Sequence, residues 1–296
     1  MYKNFALLKV ILWQNQTALK YLDSASAILR DYPNVYAELD VWTTYGLAYQ
    51  NLLQFDRSLV FFSKMCLAAE DLEDYFHQIK CLTNKAQLEF RKGDFPKALK
   101  YALEALELIE IFTFPPQQVE VLIEVGSIYS KLSEYDLANK YFFQALKISE
   151  QHNLILETAK IYVELAWIYK HQGNYRLALD YSNQAQVICE KIGDKHGLSN
   201  CHGVRGLIFS IQKKYPESLA EHEKAKKIRL EIQHPEGVAA SIFNISLVYV
   251  DMKEIDNALS LLMEAIAIEE GIDNIYSTRA SLKTPCTLLF RRRVTG

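Results

Sequence analysis

The sequence predicts an all-α chain of stacked antiparallel helix pairs, and three observations carry that prediction. A small residue recurs as Ala6, Gly46, Ala86, Gly126, Ala166, Gly206 and Ser246, with 40 residues in every interval. Other marks keep that register. An aromatic or aliphatic residue stands nine positions later, as Phe55, Phe95, Tyr135, Tyr175, Tyr215 and Ile255, and Ala138 with Ala145 and Ala178 with Ala185 stand twelve and nineteen positions later. Finally, only 11 Gly and 7 Pro punctuate 296 residues, too few for many tight β-turns. Self-similarity at a fixed period of this length is the signature of a repeat architecture.

Each repeat reads as two helices joined by a turn. The small residues belong where helices cross so closely that a larger side chain would push the backbones apart. In the turns, Lys92-Gly93-Asp94-Phe95 and Gln172-Gly173-Asn174-Tyr175 place Gly where a helix C-terminus needs positive φ. Asp94 and Asn174 then cap the next helix, and the aromatic beside each cap packs back on its partner. Between repeats the joints are polar and contain Gly or Pro: Tyr32-Pro33-Asn34, Pro115-Pro116, Gly193-Asp194-Lys195 and His234-Pro235-Glu236-Gly237. Seven such units cover residues 1–275, the first incomplete at its start. Residues 276–296 begin an eighth first helix, which Thr284-Pro285 interrupts and Arg291-Arg292-Arg293 closes. They are expected to form a partial repeat, with a C-terminal capping helix and a basic tail. A solenoid needs polar caps, and the abnormal ends point to a fragment or a truncated reading frame.

Composition bounds the function. Thirty-three Lys plus Arg against 36 Asp plus Glu give a net charge of −3, no footprint for a nucleic-acid partner. Half of the residues are apolar, enough for a folded chain, yet none of the runs reaches the roughly 18 uninterrupted apolar residues of a membrane helix. Lys9 interrupts the apolar start, and no small-x-small cleavage site follows it. The five cysteines, Cys66, Cys81, Cys189, Cys201 and Cys286, are odd in number and sparse, which predicts reduced thiols and a cytoplasmic location.

The sequence holds no Gly-rich phosphate loop, no G-x-S-x-G and no H-E-x-x-H, so neither an enzyme nor a cofactor is expected. Cys189, His196, Cys201 and His202 span one joint without a zinc spacing, and no metal is expected there. His222 replaces the aromatic or aliphatic residue of other second helices and is expected to be a hydrogen-bonded packing residue. Arg205 stands where other repeats carry Leu, Val, Ile, an aromatic residue or, in one case, Lys85. Its expected state is a snorkelling stem with the head in solvent; the alternative is an anion-binding point. With Ser218 nearby, the sixth repeat reads as the loosest. Lys224, Lys226, Lys227 and Arg229 interleave with Glu221, Glu223 and Glu231 on an outward second helix, a mixed cluster unsuited to nucleic acid.

The marks taken in phase resemble the tetratricopeptide repeat (TPR) family over about residues 1–275, with a unit of 40 residues rather than the usual 34. Such long repeats look like those of kinesin light chains, Pins-type adaptors, bacterial Rap-type peptide receptors and bacterial signalling proteins. The joint from Lys191 to Ser199, KIGDKHGLS, looks most like the last group. The resemblance implies a right-handed superhelical solenoid whose first helices line a concave groove. It implies a non-catalytic protein-interaction scaffold that binds a peptide or a partner helix. The alternative is a sensory or regulatory segment of a larger signalling protein, a nucleotide cyclase or histidine kinase, with the catalytic part elsewhere. A Rap-like receptor fits less well, since no distinct helical module precedes the repeats.

By the same resemblance the groove is lined by Asn84, Gln87, Arg91, Glu124, Lys131, Glu164, Trp167, His171 and Asn244. Asn84 and Asn244 would hold a peptide backbone, since an amide offers donor and acceptor together. Glu124 and Glu164 would favour basic groups on the ligand, and Trp167 would anchor it. The carboxylate clamp of chaperone-tail receptors is not matched: Thr43, Leu47, Glu120 and Glu124 flank Asn84, and two glutamates repel a carboxylate. Exposed terminal repeats offer faces through which copies of the chain can pair into a homo-oligomer.

Overall fold

The computed structural model describes residues 2–11, 14–112 and 114–271; the expected partial eighth repeat at 276–296 lies outside the described residues. The described residues form fourteen helices and no strand. They are α1 (Tyr2–Ile11), α2 (Asn15–Asp31), α3 (Val35–Asn51), α4 (Phe55–Asp71), α5 (Tyr75–Lys92), α6 (Phe95–Ile111), α7 (Pro115–Lys131) and α8 (Tyr135–Gln151). There follow α9 (Ile155–His171), α10 (Tyr175–Ile192), α11 (Lys195–Ile211), α12 (Tyr215–Glu231), α13 (Pro235–Asp251) and α14 (Ile255–Gly271). The chain divides into two compact units, Met1–Leu154 with α1 to α8 and Ile155–Gly296 with α9 to α14. Within each unit, successive helices pack in pairs as antiparallel hairpins.

The hairpin crossing explains the recurring small residue. A Cβ placed on Gly126 would lie 2.8 Å from the ring of Phe142, and one on Gly206 would lie 2.6 Å from the ring of His222. Gly46 meets Phe62 in the same way. In each case the partner sits sixteen positions later in the chain, a glycine on one helix receiving a ring from the other. Phe62 and Phe142 are fully buried by it. Ser58 and Ser218 donate their hydroxyls to the carbonyls of Gly46 at 2.8 Å and Gly206 at 2.7 Å. Ser218 therefore ties the sixth hairpin together, which removes the ground for expecting that unit to be loose.

The turns follow the capping logic. Gly93 and Gly173 have φ of 83° and 77°, and Asp94 and Asn174 accept hydrogen bonds from the N–H groups of Lys97 and Leu177. The corresponding turns without glycine adopt the same left-handed backbone at Leu53, Ser133, Lys213 and Lys253, with φ between 59° and 66°. A side chain there costs roughly 1–2 kcal/mol.

One expectation about cysteine is corrected. α4 and α5 pack side by side, and this brings the Cα atoms of Cys66 and Cys81 to 5.5 Å, within the range that a disulfide spans. The two form a disulfide, so reduced thiols remain only at Cys189 and Cys201 among the described residues. The argument for a cytoplasmic location loses the support of that pair. No helix among the described residues is long and apolar enough to cross a membrane.

Candidate ligand-binding faces

In the unit Met1–Leu154, α5 packs against both α3 and α7, and these are the first helices of their hairpins. Asn84 of α5 is 5% exposed, and its Nδ2 is enclosed without a hydrogen-bond partner. Gln50 of α3 has the complementary defect, an enclosed Oε1 that accepts nothing. The neighbouring charges are engaged. Arg91 donates from Nη1 to the Gln50 carbonyl at 3.0 Å and stands over the Phe55 ring. Asp40 meets Lys3 at 2.6 Å, His77 at 3.9 Å and Lys80 at 4.0 Å. His77 beside it, with Lys3, holds its carboxyl far below the usual carboxylate range despite burial. Gln87 is half-buried, Glu124 buried and Lys131 exposed.

In the unit Ile155–Gly296, Glu164 and Asn244 are half-buried and His171 is exposed. Trp167 is half-buried against Val163, Ala185 and Cys201. Lys170 Nζ stands 4.7 Å from its ring centroid, and the His171 ring stacks on it at 6.1 Å.

Both readings of Arg205 are corrected. Its side chain is buried and donates from Nε to Glu221 Oε2 at 2.9 Å and from Nη1 to Asn183 at 3.1 Å and to Gln186. His202 Nδ1 lies 2.8 Å from the same Glu221 oxygen, and Lys224 donates to Oε1 at 2.8 Å. Burial pushes the Glu221 carboxyl up, but His202, Lys224 and Arg205 outweigh it and bring it down to about 2. The Arg205 head is thus neutralised from within, neither in solvent nor open to an anion.

His222 is also corrected: it is buried, and neither ring nitrogen has a hydrogen-bond partner. It is wedged over Gly206, and burial, with the charge of Arg229 against the opposing Glu221, lowers its pKa to about 4, so the ring is neutral near pH 7. Arg229 does not point outward with its lysine neighbours but turns in toward α11 and α13. Of Cys189, His196, Cys201 and His202, the structure brings the two thiols together, Cys189 against Cys201, while His202 is taken up by Glu221. Among the described residues no group of three or more His, Cys, Asp or Glu is placed to hold a metal ion.

A signal for these partners existed. Arg205 and Glu221, like Gly206 and His222, are sixteen residues apart, the register of the hairpin. Reading the chain in pairs at that spacing would have given Arg205 its carboxylate.

The tetratricopeptide repeat profile matches residues 78–151 and 157–231, and a second profile of that description matches 239–271. The chain belongs to the tetratricopeptide repeat family. As a TPR protein it is a repeat scaffold of the protein-interaction type. Among solved structures it is similar to aspartyl phosphate phosphatase F from Bacillus subtilis, with 16% identity over 94% of this chain and 72% of that one, at a TM-score of 0.73. It is similar to a Rap protein complexed with competence and sporulation factor, at 12% identity, 98% and 97% coverage and a TM-score of 0.65. A tetratricopeptide repeat protein from Parabacteroides merdae matches at 18% identity, 98% and 99% coverage and a TM-score of 0.63. At these identities the likeness shows the fold alone. No curated protein matches the sequence.

Proposed function

We propose that this TPR chain is a non-catalytic scaffold that takes an extended peptide along the first helices of the unit Met1–Leu154. The observation that carries the reading is the orphaned amide of Asn84. An enclosed donor without a partner costs about 1–3 kcal/mol. No hydrogen bond holds Nδ2 inside, so turning it toward a ligand carbonyl breaks nothing and relieves that penalty. Gln50 Oε1 on the adjacent α3 supplies the complementary acceptor for a ligand N–H. A donor and an acceptor on neighbouring first helices match the alternating C=O and N–H groups of an extended backbone. The Rap neighbour, solved with its factor, is a protein of this fold that holds a ligand. Glu124, at the position of Asn84 in the next repeat, favours a basic group on the peptide. Gln87, Arg91 and Lys131 share the face. In the second unit Glu164, Trp167, His171 and Asn244 are the corresponding contacts.

The test is to select peptides from a displayed random library against the parent protein and to titrate them onto Asn84→Ala. Losing one backbone-holding amide weakens binding by about tenfold, near 1.4 kcal/mol, with helicity unchanged. Equal affinity of parent and variant would remove Asn84 from the binding face.

A further inference from the structure

Cys201 of α11 stands five residues before the small residue of its repeat, Gly206, as Cys81 of α5 stands five before Ala86. Each meets a cysteine of the second helix that precedes it, Cys189 of α10 and Cys66 of α4. The chain therefore carries two cysteine pairs across joints between repeats, in one register on the first helix. The first pair is closed as a disulfide. The second is held as two free thiols in contact with each other. Burial does not set the pairs apart, since Cys66 and Cys81 are 7% and 0% exposed, and Cys189 and Cys201 are 1% and 0% exposed.

The surroundings of the two free thiols are unequal. Cys189 Sγ donates toward Asp194 Oδ2 at 3.8 Å, and the other oxygen of Asp194 caps α11 by accepting from the Gly197 N–H at 3.0 Å. Gly197 makes room for both groups: a Cβ there would run into the Asp194 carboxylate and lie 2.6 Å from Cys189 Sγ. Cys201 has Ser182 beside it, whose hydroxyl donates to the Cys201 carbonyl at 3.2 Å, and the charge of Arg205 nearby. The Cys189 contact, with Arg205 and Ser182, holds the Cys201 thiol below its ordinary pKa against burial. The same contact, with burial and Asp194, pushes the Cys189 thiol up. Cys201 is thus the readier thiolate, and the thiolate is the nucleophile of disulfide exchange. Asp194 belongs to the joint between α10 and α11, where Ile192, Gly193, Lys195 and His196 are exposed. Local opening of that surface segment brings a small reagent to the sulfurs.

We propose that Cys189 and Cys201 are a redox-active dithiol that closes to a second inter-repeat disulfide by exchange with a low-molecular-weight disulfide. The Cys201 thiolate attacks one sulfur of the reagent, and the other sulfur leaves as a thiolate. Cys189 then passes its proton to Asp194, and its sulfur attacks Cys201 Sγ and releases the second reagent thiolate. Two electrons pass from the protein thiols to the reagent, and the two thiol protons end, through solvent and Asp194, on the released thiolates. The new bond clasps α10 to α11. Cys201 packs in one cluster with Trp167, so closure is felt beside that ring. The dithiol does not depend on the Asn84 reading; either can fail alone.

The test uses the full chain carrying Cys286→Ser, purified with Cys66–Cys81 closed. It is incubated with oxidised glutathione, quenched in acid, alkylated, digested and read by mass spectrometry. The expected product is a peptide pair joined through Cys189 and Cys201, which excess reduced glutathione reopens. Cys189→Ala, folded by circular dichroism, traps Cys201 as its glutathione adduct. Folded Cys201→Ala leaves Cys189 reacting about tenfold more slowly than that. Trp167 supplies a readout that needs neither variant: emission falls as the bond closes, and Trp167→Phe removes the change. Thiols at Cys189 and Cys201 that stay fully alkylated after the incubation would overturn the proposal. So would a cross-link from either to Cys66 or Cys81, or an adduct that forms faster on Cys189 than on Cys201 in the folded single variants.

Discussion

Asn84 on α5 and Arg205 on α11 are both polar side chains buried on first helices, yet they stand in opposite conditions. Arg205 has every partner it needs, with a carboxylate, two side-chain amides and an imidazole gathered around it. Asn84 keeps an enclosed N–H that bonds to nothing. From the sequence, Arg205 reads as a snorkelling stem, with an anion-binding point as the alternative, and Asn84 as a groove amide for a peptide backbone; in neither case does residue type tell the two conditions apart. Hydrogen-bond accounting does: a satisfied buried charge serves the fold, and an unsatisfied buried donor is a standing penalty that a ligand can relieve.

The largest effect expected from breaking this comparison lies at Glu221. Glu221→Ala leaves Arg205 buried without its counter-charge and destabilises the protein by about 3–5 kcal/mol, measured by urea unfolding. Peptide affinity at the α3–α5 face stays unchanged in the folded fraction. A loss under 1 kcal/mol would mean that Arg205 finds solvent after all, as a snorkelling side chain does.

Next in size is His222, the unpaired polar group in the hairpin of Arg205. Its pKa is lower in the folded state, about 4, than the ordinary 6.5, so the unfolded chain binds the extra proton between those values. Its contribution is complete above pH 6.5 and is lost as pH falls toward 4, on the order of 3 kcal/mol in all. Glu221, with a folded pKa of about 2 against 4.5, continues the acid loss over a lower window, from 4.5 toward 2. His222→Phe restores the glycine–ring pairing of Gly126 with Phe142 and is expected to stabilise by about 1–3 kcal/mol at pH 7. Thermal unfolding followed from pH 7 to pH 4 should show a much flatter slope for the variant. An unchanged slope would assign the acid sensitivity to another group.

The smallest effect concerns the turns. Ser133→Gly and Lys213→Gly relieve left-handed backbone at φ of 64° and 60° and should each add about 1 kcal/mol. Gly173→Ala should subtract a similar amount. These changes lie away from both polar clusters and should leave ligand binding alone.

Most of the fold was legible because the 40-residue period places every small residue, cap and turn glycine in phase. Gly93, Gly173 and their caps Asp94 and Asn174 behave as their chemistry dictates. The left-handed turns at Leu53 and Lys253 were not legible, because tertiary packing imposes that backbone on residues that do not favour it. The Cys66–Cys81 disulfide depends on α4 lying against α5, a contact between repeats that no single repeat encodes. The site was less legible than the fold. Family resemblance supplied Asn84 as a position, but whether its amide is paired depends on atoms of three helices. Arg205 with Glu221 was readable only through the hairpin register.

The central claim is that the unpaired Asn84 N–H is taken up by a ligand backbone. Its most direct test is the Asn84 side-chain amide resonances of the 15N-labelled protein, followed while a library-selected peptide is titrated to saturation. The account predicts that one of the two protons moves downfield to a hydrogen-bonded position and that the pair exchanges more slowly with solvent. Resonances that stay in place at full occupancy would contradict it and would leave Asn84 as a defect in the packing of α5.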